Sequence, residues 1–184
     1  MRANAREFEN DAADATTRLT HLSDAGHIRM VDVGNKPSTD RTARAEAVVR
    51  LGAEIANQLA RTGTVAKGPV LETARLTGIM AAKRTAELIP LCHQIPLHSV
   101  DIHAVVEAET VRLESMVRCR HTTGVEMEAM TAVTVAALTV YDMCKAAGKG
   151  IVIESVRLLE KTGGKSGGWR AEEGVSRKDA KSAK

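Results

Sequence analysis

Aromatic side chains are nearly absent from this chain: Phe8, Tyr141 and Trp169 are the only three in 184 residues. A core without rings must be built from Ala, Val, Ile, Leu and Met. These bury less area apiece, and apolar burial is worth roughly 25 cal/mol per Å². Subunit association is therefore an expected source of further burial. The shortage also argues against an RNA-recognition module, which stacks bases on strand aromatics. Cysteine is scarce as well. Cys92, Cys119 and Cys144 form an odd set with no C-x-x-C spacing, which argues against a disulfide framework and a zinc knuckle and leaves three reduced thiols. No apolar run approaches the roughly 18 residues a membrane helix needs, and the first twenty residues lack the apolar stretch of a signal peptide. The expectation is a soluble, cytoplasmic protein with no membrane partner. The net charge of +3 is a property of the tail, because from Lys161 onward seven Lys/Arg stand against three Asp/Glu, leaving −1 for the rest. It offers no footprint for nucleic acid on the fold itself.

What is present is 43% apolar and periodic, enough for one domain. Residues 1–27 are polar and aperiodic and read as a mobile arm, with a short extended piece near Met30 to Val33 and a turn-rich loop to Thr42. Ala43, Ala45, Ala47, Val49 and Leu51 alternate with Arg44, Glu46, Val48 and Arg50, the pattern of a half-buried strand. A short helix over Glu54 to Arg61 follows, then a second that opens at Gly68-Pro69 and is stopped by Pro90. Val100 to Ala108 and Val111 to Cys119 alternate again and predict an antiparallel hairpin. A long helix from about Gly124 to Ala147, ended by Gly148, and a last strand over Ile151 to Lys161 complete the order βα(α)ββαβ. This predicts an α+β, ferredoxin-like βαββαβ domain over residues 28–168, an antiparallel sheet with helices packed on one face. Residues 169–184 read as a basic flexible tail.

The long helix carries the most informative pattern. Glu126 and Glu128 stand at its head and Asp142 and Lys145 at its tail, with thirteen uncharged residues from Ala129 to Tyr141 between them. At about 1.5 Å per residue, Glu126 and Asp142 lie roughly 24 Å apart, too far to meet at one small substrate. Either the ends are separate structural features, or head and tail meet across a symmetric oligomer. Thr123-x-x-Glu126 fits a capping box, and Glu128 suits the positive helix end, so neither acid is specific by itself. Asp142 opposes the dipole of its helix end, and function is the better explanation for it.

Lys67 is a misfit of the same kind, a cation just before a helix start that an anion would satisfy. His93 follows Cys92 in a Pro-flanked loop, where sites are common, but Cys92, His93, His98 and His103 match no metal-ligand template. No metal site is expected. LLEKTGGKSGG imitates a phosphate-binding P-loop, yet the required first glycine would fall at Leu159. Its glycines instead make a pliable segment from which Lys161 and Lys165 can reach an anion.

IPLCH at 89–93, TGVEMEAMTA at 123–132, ALTVYDMCKA at 137–146 and KTGGKSG at 161–167 together resemble the molybdenum cofactor biosynthesis protein C family. MVDVGNK with Arg41 downstream, Lys67-Gly68 and AAKRTAELIP add to the resemblance, which runs in order from about Leu19 to Gly168. It implies a ferredoxin-like subunit in a hexamer built as a trimer of dimers, with sites at the dimer interface. It implies a small-molecule substrate, 3′,8-cyclised dihydro-GTP, rearranged to cyclic pyranopterin monophosphate with loss of pyrophosphate. The family's catalytic groups fall on Lys67, Asp142 and Lys145. Its pocket groups fall on Arg41, His93, Glu126, Met127 and Glu128, and Cys92, Lys161 and Lys165 join the expected substrate-binding set. No permanently bound cofactor is implied, only Mg²⁺ carried on the substrate phosphates. The alternative is a ferredoxin-like module that binds a nucleotide for regulation without chemistry. The chain departs from the family's usual pattern at Gln94-Ile95-Pro96, where a Pro commonly follows the His directly, and at Pro69, where an Asp is common.

Overall fold

The computed structural model describes residues 27–165 and 167–172, and every element lies in the compact unit that begins at Asp32. The remainder of the expected arm and tail falls outside the described residues. Residues 30–33, where a short extended piece is expected, belong to no strand or helix.

The elements run β1 (Thr39–Arg50), α1 (Ala53–Thr62), β2 (Thr64–Val65), β3 (Gly68–Pro69), α2 (Val70–Ala82), α3 (Thr85–Leu88), β4 (Ser99–Glu107), β5 (Thr110–His121), α4 (Glu126–Cys144), β6 (Val152–Thr162) and β7 (Trp169–Arg170). The main sheet has the order β4-β5-β1-β6-β7 with antiparallel neighbours throughout, and helices pack against it. This is the ferredoxin-like arrangement expected from the period-two and helical patterns.

Three expectations need correction. β1 starts at Thr39, four residues before the apolar alternation, because Thr39 to Thr42 continue the register with β5 and Thr42 Oγ1 meets Thr162 Oγ1 at 2.6 Å. Gly68-Pro69 leads into α2 with Pro69 as the cap residue rather than the first helical one. It pairs with Thr64-Val65 in a two-residue ribbon, with Gly68 at φ +110°, a conformation glycine adopts without penalty, and α2 starts only at Val70. Trp169 and Arg170, read as tail, pair with Lys161 and Glu160 as a short edge strand. β7 therefore carries an aromatic that the sequence patterns had left outside every strand.

The core is aliphatic and closely layered. Ala43, Ala45, Ala47 and Val49 of β1 are fully buried, as are Val111, Leu113 and Val117 of β5 and Ala129, Val133, Ala136, Ala137 and Val140 of α4. Small side chains allow close approach. At the crossing of α2 and α4 a Cβ on Gly78 would lie 3.0 Å from the Ala132 carbonyl oxygen, and Thr77 and Thr139 hydroxyls bond across the helices at 2.8 Å. On the outer face of the sheet Glu46 is buried although it alternates outward. Arg112 and Arg157 enclose it, their nitrogens 2.5 and 2.8 Å from its carboxylate, so the charge is paired rather than hydrated.

Among the described residues, apolar side chains on two helices stand exposed. Met127, Leu138 and Tyr141 of α4 are 40, 52 and 40% exposed, and Leu76 and Met80 of α2 are 59 and 47% exposed. Exposed groups eleven and three residues apart along α4, with two a turn apart on α2, make apolar stripes rather than scattered positions. Within the uncharged stretch of α4 only Leu138 and Tyr141 are exposed, and the rest is buried or half-buried. Among the described residues no helix is long and apolar enough to cross a membrane.

Candidate active site

The two ends of α4 hold two distinct clusters, separated by a 19-residue helix about 28 Å long. At the C-terminal end Asp142 accepts from Lys145 Nζ at 2.6 Å and from Lys67 Nζ at 2.8 Å. Lys67 is placed there by the β2–β3 ribbon, whose two connecting residues are Ala66 and Lys67. Its ammonium also donates to the Asp142 main-chain oxygen at 2.7 Å. That carbonyl belongs to the last turn of α4, which has no helical partner, so Lys67 caps the helix as well as pairing with the side chain. The anion that the sequence required beside Lys67 is therefore Asp142 of the same chain. Hydrogen bonds from Lys145 and then Lys67 hold the Asp142 carboxyl down at about 2, and Asp142 raises Lys145 in return. At neutral pH this cluster is a carboxylate anion between two ammonium groups, all well exposed.

The N-terminal end is organised differently. Glu126 makes no capping box: α4 starts at Glu126 with Val125 as its cap residue and no side-chain cap bond. Its carboxylate folds over Gly124, where a Cβ would come within 1.9 Å of Oε2, and accepts Lys161 Nζ at 2.8 Å. With the helix starting at Glu126, Thr123 is not its cap residue, and the carboxylate is left to the β6 lysine. Arg41 donates to the His121 and Thr122 carbonyl oxygens, both at 3.1 Å, and lines a cleft of about 810 Å³ with Lys36, Thr39, Thr122, Gly164 and Lys165. Among the described residues three cations and no acid line that cleft, which suits a polyanion.

The glycines of the 161–167 loop have a steric purpose here. At Gly164, φ +76°, a Cβ would lie 2.2 Å from Arg41 Nη1, so a side chain there would make the guanidinium shift. Gly167 has a similar φ of +68° but nothing within 4 Å of an added Cβ. Gly164→Ala should lower the thermal midpoint more than Gly167→Ala. Both pay the left-handed backbone cost of about 1–2 kcal/mol, and only the first displaces Arg41. Equal midpoints would show that the loop does not hold Arg41.

A second cleft at this end, about 400 Å³, is lined by Lys83, Thr85, Glu87, His93, Gln94 and Glu128 among others. Glu128 is 3% exposed, and burial pushes its carboxyl up to about 7, with the charge of Glu126 adding to the rise. Cys92 is partly buried, and burial followed by the Glu128 charge raises its thiol, the opposite of what an activated nucleophile needs. Met127 is exposed on the outer side of α4, on the uncovered apolar stripe. Among the described residues no three His, Cys, Asp or Glu side chains are grouped to hold a metal.

Of the expected site residues, one subunit thus brings together Lys67, Asp142 and Lys145 at one end, and places Arg41, Glu126, Lys161 and Lys165, with His93 and Glu128 in the neighbouring cleft, at the other. Lys36 and Lys83 line these clefts too. The first lay inside the MVDVGNK segment and the second inside AAKRTAELIP, without a pattern that singled either out.

Fold and site define a ferredoxin-like α+β protein with a Lys67–Asp142–Lys145 cluster at one end of its long helix and a cleft lined by Lys36, Arg41 and Lys165 at the other. The model of the MoaC family matches residues 30–164. Cyclic pyranopterin monophosphate synthase of Bordetella avium is 56% identical over 160 residues, 86% of this chain and 98% of that protein. The synthase of Bordetella pertussis is 55% identical over 157 residues, 84% of this chain and 97% of its own length. Molybdenum cofactor biosynthesis protein 1 of Drosophila melanogaster is 59% identical over 151 residues, which make up 81% of this chain but 26% of that longer protein. The chain belongs to the MoaC family.

Proposed function

We propose that the chain is a cyclic pyranopterin monophosphate synthase, a lyase of molybdenum cofactor biosynthesis that converts 3′,8-cyclised dihydro-GTP to cyclic pyranopterin monophosphate and pyrophosphate. The observation that carries this reading is the 56% identity across 98% of the Bordetella avium synthase. The family match also spans Arg41, Lys67, His93, Glu126, Glu128, Asp142, Lys145 and Lys161.

The chemistry needs proton transfers to open the ribose–purine linkage and close the new ring. A sugar hydroxyl then attacks the α-phosphate, forming the cyclic ester as the bond to the departing pyrophosphate breaks. Lys67 and Lys145 offer ammonium protons on either side of Asp142, and the carboxylate, ionised above about pH 2, fixes their direction. Arg41, Lys36 and Lys165 are suited to hold the triphosphate and favour the charge that develops on pyrophosphate. Any Mg²⁺ would travel on those phosphates, since Glu126 already engages Lys161.

The complete site is shared between subunits: Lys67, Asp142 and Lys145 of one face His93 and Glu128 of its neighbour. The length of α4 supports this, and the apolar stripes through Leu76, Met80, Leu138 and Tyr141 supply surface for the contact. A hexamer, a trimer of such dimers, is the expected assembly, and the cytoplasm the expected compartment.

The test is direct. Incubated with 3′,8-cyclised dihydro-GTP, the protein should release one pyrophosphate per cyclic pterin product. Tight binding of that compound without pyrophosphate release would assign a regulatory module instead.

A further inference from the structure

The face of the sheet turned away from the helices carries a charge pattern that neither the core nor the proposed chemistry uses. Across the three central strands, β5, β1 and β6, its outward side chains form two triads. In the first, Arg112 and Arg157 close on Glu46 at 2.5 and 2.8 Å. In the second, Glu114 and Glu160 close on Arg44, Glu114 through two guanidinium nitrogens and Glu160 at 3.4 Å. Arg44 and Glu46 are successive outward positions of β1, so the triads lie side by side. One reads cation–anion–cation across the strands, and its neighbour reads anion–cation–anion.

Exposed ion pairs add little to the stability of a subunit, and ordering six long side chains costs entropy. Yet Glu46 is only 5% exposed on this face. The two arginines that shield its carboxylate keep 43 and 47% of their own side-chain surface open, with N–H groups still to offer. Val105, Met116 and Val152 stand exposed on the same face, so among the described residues nothing covers it.

We propose that this sheet face docks against the same face of a second copy of the chain, each triad lying over the opposite triad of its mate. A two-fold axis in the plane of contact, along the boundary between the triads, produces that arrangement. It sets Arg112 opposite Glu114, Glu46 opposite Arg44 and Arg157 opposite Glu160, and each opposition occurs twice. An axis along β1 would instead bring Arg112 near Arg157 and Glu114 near Glu160, so the charge pattern selects one orientation. Each group is already held by its own triad, and docking therefore orders little more. Glu107 and Arg170 lengthen the rows at the outer strands, through Arg112 and Glu160, and leave the three central oppositions unchanged. The contact goes beyond the proposed activity. The shared site uses the helix side of the subunit, whose stripes are apolar, and an ionic contact on the sheet side joins one shared-site dimer to the next.

Sedimentation velocity on the intact protein tests this. Wild type should run larger than a dimer in about 0.1 M NaCl and as dimers in about 1 M, because the screening length falls from about 10 to about 3 Å. Equal size at both salt concentrations overturns the proposal. Arg157→Glu sets a carboxylate against the partner's Glu160, and Glu160→Arg sets a guanidinium against the partner's Arg157, so each variant alone should be dimeric at low salt. Co-expressed and purified through two tags, the two should regain the wild-type size, because between unlike copies every opposition again joins opposite charges. Either variant keeping the wild-type size by itself overturns the proposal. So does a co-expressed pair that stays dimeric while both chains give the wild-type circular dichroism spectrum. Should a variant fail to fold, the salt series on wild type decides alone. Turnover of the cyclised dihydro-GTP on the same preparations tests the activity separately. Salt-dependent size without turnover removes only the activity, and turnover by a protein of salt-independent size removes only the sheet contact.

Discussion

His93→Ala and Lys145→Ala subunits, each inactive alone, should regain roughly a quarter of wild-type turnover when co-expressed in equal amounts. The expectation follows from where the side chains lie. His93 lines the cleft at the head of α4, and Lys145 pairs with Asp142 at its tail. With 19 residues of helix between them, about 28 Å, the two cannot act on one substrate from one chain. In a two-fold dimer with shared sites, each mixed pair has one site with both lesions and one with none. Random pairing makes half the dimers mixed, and half of their sites are intact, which gives the quarter. Each variant must first be shown to assemble, and mixed oligomers must be isolated with distinguishable tags. Verified mixed oligomers that stay inactive would place the whole site within one chain and remove the shared-site proposal.

Lys67→Ala should lower turnover at least about a hundredfold, the usual scale for a positioned acid/base group. The structure adds a complication that the sequence did not suggest, because Lys67 also caps α4 through the Asp142 carbonyl. Loss of a cap costs about 1 kcal/mol and could itself disturb Asp142 and Lys145. Lys67→Arg separates the two roles. A guanidinium can still donate to the carbonyl and to the carboxylate, but it keeps its proton under all conditions in which proteins fold. If Lys67 donates a proton in the reaction, the Arg variant should match wild type in thermal midpoint and remain as slow as the Ala variant. Recovery of turnover in the Arg variant would make Lys67 a cap and an electrostatic support only.

The architecture was legible where one residue's neighbours in sequence are also its neighbours in force. Alternation at Ala43 to Leu51, Val100 to Ala108 and Val111 to Cys119 reports which side of a strand meets the core, and those strands form. Signals failed where a distant partner outweighed a local one. Thr123-x-x-Glu126 has the spacing of a capping box, but Lys161, 35 residues away, takes the carboxylate. Lys67 and Asp142 each stood against a helix dipole, and the sequence marked both as unsatisfied without showing that they satisfy each other across 75 residues. Glu46 occupies an outward position in the alternation and yet is buried, because Arg112 and Arg157 converge on it from β5 and β6. In the candidate site, residue types were readable and partnerships were not. The motifs carried Lys67, Glu128, Asp142 and Lys145, while the division into two charge-sorted clefts required the folded chain.

The near-absence of rings leaves the protein with a single indole, Trp169, half exposed on β7 and paired in register with Lys161. Lys161 holds Glu126, and the loop that follows it covers Arg41. Excited near 295 nm, the protein emits from this one position, with no second indole to subtract. Any ligand that draws Lys161 or Lys165 toward its phosphates must pull on the strand that carries the fluorophore. Stopped-flow emission on the unaltered chain can therefore time the arrival of a triphosphate independently of the chemistry that follows, without a dye or a label.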